Sequence, residues 1–109
     1  MATTYKVLGQ SNPSADTNTD VYTVPSTTSA VISTLNICNQ SANGSVFNIA
    51  IRPAGATLEA KHYIAYNTSV AANDSVSLTI GVTLATTDVV TVRANNASVS
   101  FNVFGSEIT

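Results

Sequence analysis

The sequence predicts an all-β fold: an antiparallel β-sandwich, jelly-roll or Ig-like, of seven to eight short strands in one domain spanning residues 1–109. Three observations carry this. The last third alternates strictly. Val99, Phe101 and Val103 stand against Ser98, Ser100 and Asn102, and Val90, Val92 and Ala94 stand against Val89, Thr91 and Arg93. A period of two is that of a strand with one face buried. Turn residues recur about every eight to twelve positions and no 3.6-residue period is sustained, which is sandwich spacing. The composition is 16 Thr, 13 Ser and 11 Asn with only 9% charged residues, against about 25% in an average domain. Thr favours pleated surface, and Ser and Asn favour turns.

The elements follow in order. Thr3 to Gly9 is a short edge strand in which Tyr5 and Val7 alternate with Lys6 and Leu8. A loop rich in Asn, Ser, Pro and Asp occupies Gln10 to Asn18, and Asp20 to Val24 is a second strand stopped by Pro25. Ala30 to Cys38 is the longest apolar run. Its Val31, Leu35 and Ile37 point one way and Ala30, Ile32 and Cys38 the other, as in a central strand or one with a covered outer face. Asn43-Gly44 signals a hairpin into Phe47, Ile49 and Ile51. Pro53 to Thr57 is a loop, Leu58 to Lys61 one helical turn, and His62 to Tyr66 a strand. Val76, Leu78 and Ile80 mark the next strand. Asn95 and Asn96 join the last two strands as a tight hairpin, since Asn tolerates a left-handed backbone. The expected core is Phe47, Ile49, Ile51, Val76, Leu78, Ile80, Val90, Val92, Val99, Phe101 and Val103. The segments TDVYTV (19–24) and TDVVTV (87–92) echo each other, as common strand-start chemistry or as related hairpins in two sheets.

Charge and chemistry exclude several classes. The net charge is −2, and Lys6, Arg52, Lys61 and Arg93 are scattered, so nothing matches the clustered cations that nucleic acid or an anionic membrane requires. No run approaches the ~20 apolar residues of a membrane span. MATTYKVLGQ lacks a signal-peptide apolar core, so export by that route is not expected. A catalytic triad needs a base, and the one histidine, His62, reads as structural. One Cys and one His cannot fill a zinc site, and Asp16, Asp20 and Asp88 lack EF-hand spacing. No catalytic residue, cofactor or metal is therefore expected. Cys38 reads as a small buried hydrophobe. Tyrosines and asparagines could bind sugar, but Tyr63 and Tyr66 lie three apart on a strand and should face opposite sides. Sequons at Asn39, Asn43, Asn67, Asn73 and Asn96 reflect composition.

The segments YKVLGQ, DVYTVP, STLNICNQS, FNIAIRPAGATL, KHYIAYN, LTIGVTLATTDVVTV and SFNVFGSEI, in this order from Tyr5 to Ile108, resemble a group of short virion structural proteins of tailed bacteriophages, notably those infecting cyanobacteria. The resemblance fixes strand order and turns and carries no catalytic residues. It implies a small non-enzymatic all-β protein made in the host cytoplasm and borne on the particle exterior. The role implied is capsid decoration (cement). The alternative is a tail, baseplate or fibre-attachment protein that could bind host glycans. No heptad or shaft repeat accompanies it, which favours the capsid. Virion symmetry implies a homo-oligomer, a trimer first, contacting other virion proteins such as the major capsid protein. Ile32, Val46, Ala50, Val89 and Phe104 alternate against the core series and are the candidate interface residues. Either a partner or a second layer of the same chain covers them.

Overall fold

The computed structural model describes residues 2–109. It contains nine strands: β1 (Thr3–Ser11), β2 (Thr19–Thr23), β3 (Ser29–Asn39), β4 (Ser45–Arg52), β5 (Tyr63–Val70), β6 (Ser75–Leu78), β7 (Val82–Leu84), β8 (Val89–Ala94) and β9 (Val99–Ile108). Short 3-10 turns at Pro53–Gly55 and Ala60–His62 lie between β4 and β5. All pairings are antiparallel. One sheet runs β1-β9-β3-β6, with β7 also on β3, and the other runs β2-β8-β4-β5.

This order is a jelly roll rather than an Ig-like sandwich. β6 and β7 lie end to end along the same edge of β3, at Leu35–Cys38 and Ala30–Ile32. Taken as one broken strand they reduce the count to eight, and the two sheets then have the paired four-strand order of two Greek keys. The break is set by Gly81 at φ +60°, a left-handed turn that glycine makes without strain. It leaves Ile80 out of either strand and half exposed, which corrects its assignment to the core.

The expected hairpins are corners. β3 and β4 belong to different sheets, as do β8 and β9. Neither Asn43-Gly44 nor Asn95-Asn96 adopts the positive φ of a two-residue hairpin turn. β2 and β8, which carry the echoed segments, pair within one sheet, Thr19 opposite Val92 and Thr23 opposite Val89. The sequons are partly corner chemistry: Asn39 and Asn96 each accept the amide of the serine two residues on, at 3.0 and 2.8 Å.

The core lies between the sheets. Phe47, Ile49, Val90, Val92, Val99, Phe101 and Val103 are buried as expected, and Phe47 meets Phe101 edge-on at 6.2 Å between ring centroids. Ile51, Val76 and Leu78 are half-buried against it. Two bulges reset the register. β3 slips relative to β9 between Ile32 and Thr34, so Ala30 and Ile32 face inward before Ser33, and Leu35, Ile37 and Asn39 do so after it. Ile32 is therefore core, not interface, and Cys38 is half-buried on the outer side. β1 slips at Leu8, which turns inward while Tyr5 and Val7 stay outside. Just beyond, Gly9 crosses the Val21 carbonyl of the other sheet so closely that a Cβ would overlap that oxygen. Gly105, opposite the β3 bulge, is constrained in the same way by the Val31 carbonyl.

Candidate functional site

The outer face of the β2-β8-β4-β5 sheet is largely covered by the chain itself. Arg52, at the end of β4, donates to the Gly55 and Ala56 carbonyls at 3.3 and 3.0 Å, to Thr91 Oγ1 at 3.0 Å and to Asp20 Oδ1 at 3.0 Å. Asp88 accepts the amides of Ala54 and Ala85 at 2.9 and 2.8 Å. These bonds hold residues 54–56 against the sheet. Ala50 and Val89, expected as interface residues, point outward in register but are buried. The first 3-10 turn lies against β8 and the second against β4. Val46 is half-buried on the same face, and Phe104 on the other sheet is partly exposed.

Around Phe104 a second feature appears. Tyr5, Val7, Val31 and Phe104 share the outer face of β1, β9 and β3: Val7 is opposite Phe104, and Tyr5 and Val31 are both opposite Ser106. Tyr5 is 85% exposed and Val7 46%. A shallow depression of about 470 Å³ runs among them. The alternation of Tyr5 and Val7 is plain in the sequence. Which of the two series faces out depends on the Leu8 bulge, which the sequence does not reveal.

On the covered sheet, one stretch stays open. β5 slips twice against β4, around Asn48 and between Ile49 and Ala50. The slips bring Tyr63 and Tyr66 side by side, ring centroids 4.9 Å apart and planes at 74°. This corrects the expectation that they face opposite ways, since two-residue alternation fails across a bulge. Tyr66 is 62% exposed. A groove of about 560 Å³ lies on one side, bounded by Leu58, Glu59, Ala60 and Tyr63. A smaller pocket of about 180 Å³ lies on the other, bounded by Asp16, Val46, Asn48, Asn67, Arg93, Ala94 and Asn95.

The titratable groups hold structure. His62 is buried, and its Nδ1 accepts the Glu59 amide at 3.0 Å. Asp16 pairs with Arg93 at 3.4 Å, Asp20 with Arg52 at 3.0 Å, and Asp74 accepts the Ser75 amide at 2.8 Å. Of the acids considered for calcium, Asp16 and Asp20 each face an arginine and Asp88 accepts two backbone amides. Glu107 accepts from Tyr22 Oη at 2.6 Å and from Lys6 Nζ at 3.3 Å. The Tyr22 bond, reinforced by Lys6, holds the Glu107 carboxyl below its ordinary range against an opposing effect of burial. Burial first, then the bond to Glu107 and its charge, pushes the Tyr22 phenol above its range.

The signs follow. Glu107 contributes stability present above its unfolded value of about 4.3 and lost as pH falls through the lower folded value. Tyr22 contributes stability present below about 10 and lost as pH rises through its higher folded value. Tyr22→Phe should therefore cost about 1 kcal/mol at neutral pH, less than usual for a bond to a charged group because solvent reaches the carboxylate. The gap should close below pH ~4 and above pH ~10. Urea midpoints measured across pH check this; a constant gap contradicts it.

No protein-family model matches the chain, and no curated protein matches it. Among solved structures it is similar to a pentameric capsid protein isolated from metagenomic phage sequences, at 21% identity and a TM-score of 0.42. The match covers 95% of this chain, which spans 62% of that protein's length.

Proposed function

We propose that this chain is a non-enzymatic structural protein of a bacteriophage particle, a decoration or cement protein on the outer shell. The observation that carries the reading is the apolar patch of Tyr5, Val7, Val31 and Phe104. It gathers exposed apolar side chains on one sheet face, and clustered exposed apolar side chains mark protein–protein contact. The resemblance of the segment order to that of short phage virion proteins supports it. So does the jelly-roll topology, one used by viral capsid domains, although fold alone does not assign function.

In this reading the patch on β1, β9 and β3 seats on a neighbouring subunit, another copy in a trimer or the major capsid protein. Many symmetric copies then hold the shell by buried area. Phe104 is the candidate interface residue retained at its centre, and Val46 lies on the opposite sheet.

Mass spectrometry of purified virions tests the placement by copy number. On the order of hundreds of copies per particle is the expected result. A handful in multiples of three or six would move the protein to the tail, and absence from the particle would overturn a virion role.

A further inference from the structure

We propose that the Tyr66 ridge is a binding site for a neutral saccharide, with a sugar ring stacked in the groove beside Tyr66 and hydroxyls of the same or the adjoining unit held in the polar pocket behind it. The inference stands apart from the shell contact, because it uses the opposite sheet.

The geometry supplies both halves of sugar recognition. An aromatic ring offers a flat apolar face to the C–H face of a pyranose. Tyr66 is the exposed ring, and Tyr63 packed against it limits its rotation, so little rotamer freedom remains to be lost on binding. The groove volume, about 560 Å³, falls within the ~300–1,000 Å³ of small-ligand clefts.

The pocket supplies oriented polar groups. Asn48 Oδ1 accepts the Asn67 amide at 2.7 Å. Asn95 Oδ1 accepts the Val46 amide at 3.2 Å and the Ser45 hydroxyl. Each carboxamide is thereby fixed by its oxygen. Among the described residues neither NH2 group has a partner in the chain; no buried side-chain polar atom of a non-exposed residue is left unsatisfied, so the Asn48 NH2 group reaches solvent, and Asn95 is itself exposed. Asn67, held at φ +47°, brings a third carboxamide to the same wall. Arg93 and Asp16 complete it. The Asp16 amide donates to the Ala94 carbonyl at 2.8 Å, which anchors the loop that carries this carboxylate. Carboxamides, a guanidinium and a carboxylate provide donors and acceptors suited to adjacent hydroxyls.

Charge selects the ligand class. The pocket holds one cation and one anion, paired to each other. It lacks the excess positive charge that a phosphate backbone or an acidic polymer would need. A neutral polyhydroxylated ligand loses nothing by that balance.

The test is a titration of the isotope-labelled full chain, followed by amide NMR. The probes are methyl α-glucoside, methyl α-mannoside, methyl α-galactoside and N-acetylglucosamine. At least one should shift the amides of Tyr66, Asn67, Asn48, Arg93 and Asn95 with millimolar affinity, as expected for a shallow open site. Tyr66→Ala should weaken that binding about tenfold or more while leaving the thermal midpoint near wild type. Tyr5→Ala, on the other sheet, should leave binding unchanged. Absence of shifts with all four sugars overturns the proposal. So do shifts confined to the Tyr5 face, or undiminished binding by a folded Tyr66→Ala protein. Virion copy number is indifferent to all of these outcomes.

Discussion

Asn39→Asp should destabilise the protein by roughly 3–5 kcal/mol at neutral pH, the scale for a buried charge left uncompensated. Asn39 is fully buried at the end of β3. Its Nδ2 donates toward the carbonyls of Asn43, Ala71 and Val70 at 2.8, 3.2 and 3.4 Å. Its Oδ1 accepts the Ser41 amide at 3.0 Å. One carboxamide thus ties the β3–β4 corner to the β5–β6 corner. A carboxylate has the same shape but would set an anionic oxygen against three carbonyl oxygens. It could restore at most one of the bonds by taking up a proton. Its folded pKa must then lie above the unfolded value of about 3.9, so the charge part of the penalty is absent at low pH, where only the cost of the lost bonds remains, and grows as pH rises. Asn39→Ala separates the charge from the lost bonds and should cost less at pH 7, about 2–3 kcal/mol. Urea midpoints of the three proteins at neutral and acid pH decide this. An aspartate variant no worse than alanine, or with no pH dependence, would contradict the account.

Phe101→Ala should cost about 3–5 kcal/mol, a large share of the ~5–15 kcal/mol that stabilises a domain. Phe101 is 1% exposed. It sits on β9 opposite Ile37 and against the ring of Phe47 from the other sheet. Truncation therefore removes apolar burial and the edge-to-face contact that joins the two layers, and it leaves a cavity that two sheets cannot readily collapse. Phe104→Ala is the matched control. The same residue type three positions along the same strand faces outward at 36% exposure, and its loss should cost clearly less, about 1 kcal/mol. Equal urea midpoints for the two variants would sink the register assigned to β9.

The sequence by itself determined the class of fold and most of the core. Alternation is a local property: Val99, Phe101 and Val103 must share a face wherever β9 is placed, and that face is apolar. Nor could the scattered cations form a phosphate-binding cluster without non-local convergence, and three of the four, Lys6, Arg52 and Arg93, pair with Glu107, Asp20 and Asp16. Tertiary structure decided what alternation cannot encode. Asn43-Gly44 and Asn95-Asn96 end strands in either a hairpin or a corner, and only the partner strand chooses which. The Ser33 bulge put Ile32 and Cys38, which share a face under strict alternation, on opposite faces, because one extra residue shifts a period-two pattern by half its cycle. Ala50 and Val89 were correctly directed outward, yet they are covered by a loop held through Arg52, a residue with no local signal for that task. The same physics made the candidate saccharide site illegible. Tyr63 and Tyr66 meet only because β5 slips against β4, and Asp16, Asn48, Asn67 and the Arg93–Asn95 stretch come from four separate segments that the fold brings to one wall.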